Sequence, residues 1–409
     1  MDSIRLHHPT GKINTTIQLA SSKSESNRAL VINALGGNKG ALTNLSEARD
    51  TRTMQRLLAD PGQTWNVLDA GTTMRFLTAY AVVTNQDKIL TGTARMCERP
   101  IGLLVDALRT LGAMIDYVHN EGYPPLHIKG MEFNGVNKVS IRGDVSSQYI
   151  SALLMIAPLL PDGIELELTG PVGSRPYIEM TLRQMEAFGV QHQWIGNSIS
   201  VKPQIYQPTA YQIESDWSGA SYWYSIVALA EEAEIELLGL KENSLQGDSR
   251  IAQIMVPLGV TSTFTSRGVL LQKSASKSHI VVDFTDCPDL AQTVAVCCAA
   301  KGIEAEFTGI ESLKIKETNR VAALQNEMAK FGGQLLETEP ALRYTIPDSG
   351  IDNPTNNAIQ IHTYDDHRMA MAFAPLALQQ TVVIEHPDVV VKSYPGFWDD
   401  LLKAGFVFA

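Results

Sequence analysis

The sequence predicts an α/β protein of two domains, each built by repeating one short unit three times. Three observations point there. Six stretches place small, hydroxyl or charged residues directly before about ten mostly apolar, helix-compatible residues. These stretches begin near Ser24, Gly71, Ser147, Ser218, Asp289 and Asp366, and recur roughly every 70 residues with one shorter interval. An amphipathic stretch follows each of them, and short β-type runs lie between.

In chain order, the first set reads SESNRALVINAL, GTTMRFLTAYAV, SQYISALLMIA, SGASYWYSIVALA, DLAQTVAVCCAA and DHRMAMAFAPLAL. Helices that are apolar nearly all round are buried, so this set is expected inside. The second set spans Asp50 to Gly62, Arg99 to Ala113, Arg175 to Val190, Ser249 to Val260, Glu317 to Gly333 and Pro395 to Phe406. Charged residues early and a late glycine mark helices that cover a surface. The β-type runs are Lys88 to Leu90, Leu126 to Lys129, Glu165 to Thr169, Ile235 to Leu238, Ala305 to Phe307 and Thr381 to Ile384. Units of this length exceed the common solenoid repeats, which favours duplication inside two globular domains of about 200 residues. The crossings between them are expected near residues 20 and 215.

Composition narrows the function. The chain has 409 residues, a formal charge of −11, 44% apolar and 19% charged residues. That balance is globular. An acidic chain without Lys/Arg runs is a poor nucleic-acid partner, because affinity for a phosphate backbone comes from clustered cations. The start, MDSIRLHHPTGK, does not read as a secretory signal, and no apolar run is long enough to span a bilayer. Cys97, Cys287, Cys297 and Cys298 form no CxxC pair and no disulfide framework. A reducing, cytoplasmic setting is the expectation, with no metal.

The chemistry is expected at helix entrances, where unpaired N–H groups and the positive dipole end attract anions. Lys23 and Asn27 are four residues apart, as are Ser24 and Arg28, so each pair shares a face of a helix. Two cations with hydroxyls there suit a phosphate, while an N-cap and a solvated turn is the plainer reading of this segment alone. Asp69 to Arg75 is a Gly71-bearing loop into a helix, without GxGxxG or GxxxxGK[ST]. Further cations are Arg99, Arg175, Lys316, Arg320, Arg368 and Lys392. Lys316 and Arg320 are expected on one helix face, with Glu317 between them as a candidate general acid or a plain surface ion pair. Asp365, Asp366 and His367 could suggest a metal, but no second ligand cluster accompanies them.

Taken together, SKSESNRAL, DAGTTMR, ERPIGLLVDALRTLGA, SSQYISALL with SRPYIEMT, KETNR, and DDHRMAMAFAPLAL with KSYPGFWDDL resemble the 5-enolpyruvylshikimate-3-phosphate synthase family in content and order. The resemblance extends from residue 21 to residue 401. It implies a two-domain inside-out α/β barrel, each domain having three βαβαββ units with helices packed inside. Residues 1–21 and 215–409 would form one domain and 22–214 the other, with the substrates in the cleft. It implies a monomeric enzyme of aromatic amino acid biosynthesis, using phosphoenolpyruvate (PEP) and shikimate 3-phosphate, without cofactor, nucleic acid or membrane. Lys23, Ser24, Arg28, Ser146, Ser147, Gln148, Ser174, Tyr177, Asp289 and Lys316 match residues that hold shikimate 3-phosphate. Lys23, Gly71, Arg99, Gln148, Arg320, Arg368 and Lys392 match the PEP side. Asp289 and Glu317, with Lys23 assisting, match the acid/base groups. Asp69, Phe76, Ser312 and Asn319 depart from the commonest family residues, Asp69 adding negative charge near the expected PEP site.

Two rivals remain at this stage. The related transferase acting on UDP-N-acetylglucosamine carries a reactive Cys five residues before its Arg-Pro, whereas Cys97 stands two before Arg99. A silent anion-binding protein would not require Glu317 and Asp289 among the cations.

Overall fold

The computed structural model describes residues 2–338, 343–346 and 358–409. The chain divides into two compact units, Met1–Ala20 with Glu214–Ala409, and Ser21–Ile213.

In the first unit, three four-stranded sheets repeat one plan. Lys12–Gln18 runs parallel to Glu232–Leu238, which pairs antiparallel with Gly268–Lys273, and that strand with Val260–Phe264. His279–Asp283, Glu304–Thr308, Arg343–Ile346 and Leu336–Thr338 follow the same order and directions. So do Ile359–Ile361, Val382–Glu385, Ser3–His7 and Val407–Phe408, with the N-terminal strand completing the last sheet. The parallel step in each sheet needs a crossover, and the helices Trp217–Leu229, Ala291–Lys301 and His367–Phe373 stand at the corresponding places. Their burial follows from composition. Only Ser218 of Trp217–Leu229 is not buried, and His367–Phe373 is buried throughout.

The second unit repeats the plan twice in full. Thr64–Asn66, Asp87–Thr91, Leu126–Met131 and Ala113–Tyr117 make one sheet; Lys138–Arg142, Ile164–Thr169, Ser198–Val201 and Gln193–Ile195 make the next. The third differs from the expected βαβαββ unit. It has only two parallel strands, Ala41–Thr43 and Ala210–Gln212. The helix Arg49–Leu58 is followed almost at once by the strand Thr64–Asn66, leaving too little chain for a hairpin. The buried helices here are Lys23–Leu35, Gly71–Val83 and Ser147–Ile156; in the last, only Gln148 is not buried.

The six apolar helices begin close to the expected places, but several elements stop short, and proline is the common cause. Arg49–Leu58 ends before Pro61. The expected helix from Ser249 to Val260 is a 3-10 turn, Gly247–Arg250, and one α-turn, Ile251–Ile254, ahead of Pro257. His367–Phe373 passes into a 3-10 segment at Pro375. The proline ring disfavours helical geometry in the residue before it and removes a donor. No helix among the described residues is long and apolar enough to cross a membrane.

Candidate functional site

Each unit gathers its own set of the expected residues. In the first unit, three carboxylates converge on Arg320, the first residue of the helix Arg320–Met328, and Lys316, Arg368 and Lys392 reach two of them. Arg320 is 2% exposed. Its Nε donates to Asp366 Oδ2 at 2.7 Å, Nη1 to Asp289 Oδ1 at 3.0 Å, and Nη2 to Glu317 Oε2 at 2.9 Å. A planar fork of five donors can serve three carboxylates at once, which an ammonium cannot. Burial alone would lower the Arg320 pKa, but Asp366, Glu317 and Asp289 outweigh it and hold the guanidinium charged.

Arg368 Nη2 donates to Asp289 Oδ2 at 2.8 Å and reaches Ser218 Oγ at 3.4 Å; its Nη1 lies 3.4 Å from the Tyr222 hydroxyl. Lys316 Nζ stands 3.8 Å from Asp289, and Lys392 Nζ, buried, 3.4 Å from Glu317 Oε1. Burial would raise the Asp289 carboxyl, yet Arg368, Lys316 and Arg320 win and hold it well below the usual carboxylate range. Asp289 is therefore a carboxylate at neutral pH and suits accepting hydrogen bonds. Glu317 is held by one guanidinium and one ammonium, so it is neither the exposed ion pair that its spacing allowed nor part of a helix. Lys316 and Arg320 do not share a helix face as expected, because Asn319 caps a helix that begins only at Arg320, its side chain accepting from Ala322 N at 3.1 Å. Tertiary pairing with Asp289 brings those two cations together instead.

Three contributors were not assigned to this cluster from the sequence, Asp366 and Ser218 being read there as helix starts and Asp366 also as a possible metal ligand. Asp366, wholly buried, caps its helix by accepting from Arg368 N at 2.9 Å while anchoring Arg320. An aspartate at a helix start was the available signal. Ser218 and Asp248 pair with one another beside Arg368. Among the described residues, no three His, Cys, Asp or Glu side chains group as metal ligands. Cys97, Cys287, Cys297 and Cys298 are free thiols.

In the second unit, Lys23 opens the helix Lys23–Leu35, with Ser22 as its cap, and its Nζ meets Asp50 Oδ2 at 3.1 Å. Arg28 lies inside the unit, and its fork is shared among neighbouring groups. It is 2% exposed, with Nε donating to Thr181 Oγ1 at 2.7 Å, Nη1 to Ser24 O at 3.0 Å and Nη2 to Ser151 Oγ at 3.2 Å. Its guanidinium lies over the Phe76 and Tyr177 rings at 5.3 and 5.9 Å. Burial lowers its pKa to about 10, with Tyr177 and Glu25 pulling the other way, so it remains a cation. Arg28 thus ties Ser24 and Tyr177 to the helix Ser147–Ile156, where Ser146 is the exposed N-cap residue and Ser147 is buried. Ser174, left-handed at φ 51°, precedes the helix Arg175–Ala187 that carries Tyr177.

Gln148 Nε2 donates to Thr72 Oγ1 at 3.1 Å, joining that helix to the Gly71 loop. A Cβ on Gly71 would stand 2.8 Å from Arg99 Nη1, so the missing side chain lets the Arg99 guanidinium lie against the backbone. Arg75, also unanticipated, fixes this arrangement: it donates to Gly71 O at 3.1 Å and Pro100 O at 3.0 Å. Arg49 takes both Asp69 oxygens, at 2.8 and 3.0 Å, so the charge that Asp69 adds is compensated.

The family model for EPSP synthase (3-phosphoshikimate 1-carboxyvinyltransferase) matches residues 58–401. A 3-phosphoshikimate 1-carboxyvinyltransferase from Bacteroides fragilis is 49% identical over 398 residues, covering 97% of this chain and 96% of that one. One from Xenorhabdus nematophila is 37% identical over 433 residues, covering 98% and 99%. The fold matches the solved EPSP synthase from Acinetobacter baumannii with a TM-score of 0.79 over the whole of both chains, at 20% identity. Ordered motifs, repeated architecture and this similarity agree, and the chain belongs to the EPSP synthase family.

Proposed function

We propose that this chain transfers the enolpyruvyl group of PEP to the 5-hydroxyl of shikimate 3-phosphate and releases phosphate. The single observation that carries the reading is the convergence of Arg320, Arg368, Lys316 and Lys392 on Asp289 and Glu317. In the addition step, Glu317 delivers a proton to the PEP methylene carbon while the 5-hydroxyl oxygen bonds to C2. Asp289, an ionised carboxylate, takes the hydroxyl proton, with Lys23 assisting. The product is a tetrahedral ketal phosphate. In the elimination step the C2–phosphate oxygen bond breaks, and Glu317 takes a proton back from the methyl carbon. Arg320, Arg368 and Lys392 stabilise charge on carboxylate and phosphate as it moves.

On this reading Lys23, Ser24, Arg28, Ser146, Ser147, Gln148, Ser174 and Tyr177 hold shikimate 3-phosphate together with Asp289 and Lys316. Gly71, Arg99 and Gln148 join Lys23, Arg320, Arg368 and Lys392 on PEP. The test is phosphate release from PEP by the purified protein, offered shikimate 3-phosphate or UDP-N-acetylglucosamine in turn. Release with the first alone supports the proposal. Release with the second alone assigns the related transferase, and binding without release assigns a silent anion-binding protein.

A further inference from the structure

One buried acid beside the first cluster has no part in the reaction above. Asp248, 2% exposed, sits on the 3-10 turn Gly247–Arg250, and its Oδ2 accepts from the Ser218 hydroxyl. Ser218 is the residue of its helix that escapes burial, and its oxygen in turn lies 3.4 Å from Arg368 Nη2. That same nitrogen donates to Asp289. Besides the Tyr222 hydroxyl and the Asp289 carbonyl near Nη1, Arg368 is tethered through Nη2 directly to an acid/base carboxylate and indirectly, through a hydroxyl, to a buried acid. The direct tether weakens whenever Asp289 turns to a substrate hydroxyl. The indirect one does not.

We propose that Asp248, acting through the Ser218 hydroxyl, is a positioning residue that keeps Arg368 in place and takes up a proton when an anion enters the cluster. The inference rests on the reading that Arg368 holds the anionic substrate. The groups facing Asp248 are Asp289 and Cys287 from the turn after His279–Asp283, Asp216 ahead of helix Trp217–Leu229, and Arg368. Burial raises the Asp248 carboxyl to about 7, Asp289 adds to the rise, and Arg368 opposes it. Such a group is part-protonated near neutrality. An arriving PEP anion competes for Arg368, removes some of that opposition and draws a proton onto Asp248.

The experiment is titration calorimetry of PEP into the full chain at pH 7, in buffers of different ionisation enthalpy, for wild type, Asp248→Asn and Ser218→Ala. Proton release by PEP itself is common to all three and cancels in the comparison. Wild type is expected to take up as much as about half a proton more than Asp248→Asn, from a group titrating near 7. Asp248→Asn keeps an acceptor for Ser218, so its Kd should stay within about threefold of wild type at pH 6 and rise less than that of wild type by pH 8. Ser218→Ala should retain proton uptake yet bind PEP roughly tenfold more weakly. Equal proton uptake in wild type and Asp248→Asn overturns the proposal, as does wild-type affinity in Ser218→Ala or the absence of PEP binding in wild type. Phosphate release is scored separately. Proton uptake without release would retain the Asp248 assignment while discarding the transferase reading.

Discussion

Replacing Arg320 by lysine preserves the charge and destroys the fork. The guanidinium makes four contacts with three carboxylates, at 2.7 and 3.3 Å to Asp366, 3.0 Å to Asp289 and 2.9 Å to Glu317. A lysine ammonium on its flexible stem can reach one or two of these. Asp289 retains Arg368 and Lys316, and Glu317 retains Lys392, so the exposed consequence falls on Asp366, which is wholly buried. Losing two charge-assisted hydrogen bonds at about 1.5 kcal/mol each removes roughly 3 kcal/mol, and a buried carboxylate short of its partner puts the loss in the same range. For a unit of about 200 residues this lowers the melting temperature by roughly 6–12 °C. Scanning calorimetry of Arg320→Lys measures that shift, and steady-state phosphate release should fall about 100-fold as the anion loses its forked ligand. A variant melting within about 2 °C of wild type and turning over within about threefold would refute the argument that Arg320 is the common anchor.

Three further outcomes follow from the same geometry. Glu317→Gln should bind both substrates near wild-type affinity and lose about 1,000-fold or more in kcat, because it removes the proton and spares the cations; wild-type turnover in stopped or continuous phosphate assays would take Glu317 out of acid/base chemistry. Gly71→Ala should leave the melting temperature within about 2 °C, since the added Cβ meets only the mobile end of Arg99, while raising KM for PEP about tenfold; a fold-level defect on calorimetry would contradict that placement. The Asp289 carboxyl is depressed in the folded state, so its stabilisation is present above its ordinary pKa and is lost as pH falls through the folded value. Melting curves taken from pH 5 down to pH 2 should therefore fall less steeply for Asp289→Asn than for wild type, and parallel slopes would deny the depression.

The helix starts were legible in the sequence because burial and capping are local: a small, hydroxyl or charged residue leading into an apolar run places Lys23–Leu35, Gly71–Val83, Ser147–Ile156 and Trp217–Leu229 to within a residue or so, with side-chain caps at Ser22 and Asp216. The ends were less legible where a late glycine and a nearer proline gave opposing stop signals, and the proline prevailed at Pro61 and Pro257. Lys23, Arg320 and Arg368 were equally readable as charges at helix entrances, whereas Lys316 and Lys392 stand at the ends of 3-10 segments. Their partners were not. Asp366 and Arg320 are 46 residues apart, and Asp248 and Ser218 are 30 apart, so only the folded chain pairs them. Arg28 shows how a correct spacing can conceal the bond it makes. Its spacing from Ser24 was right, yet the bond is to the Ser24 carbonyl, and the rest of the fork is turned to Thr181 and Ser151.

On the proposed function the two clusters would meet the demand for anion binding in different ways, and the difference bears on how an acidic chain would hold two anions. In the first unit the charge is carried by side chains that are already matched to carboxylates, Arg320 and Arg368 sharing Asp289, and Arg320 and Lys392 sharing Glu317. An entering anion competes with those carboxylates, so binding redistributes charge around the groups assigned to proton transfer. In the second unit Arg28 is sequestered beneath Ser24 and Tyr177, Asp50 offsets Lys23, and Arg49 offsets Asp69, so hydroxyls and the backbone N–H groups opening the helices at Gly71 and Ser147 stand as neutral donors beside Lys23 and Arg99. Neutral donors hold an anion without altering the titration of neighbouring acids. Substitutions of the neutral donors in the second unit should therefore alter KM with little change in the pH profile, whereas those in the first unit should alter both, and a bell-shaped profile shifted by Gln148→Ala would break that division.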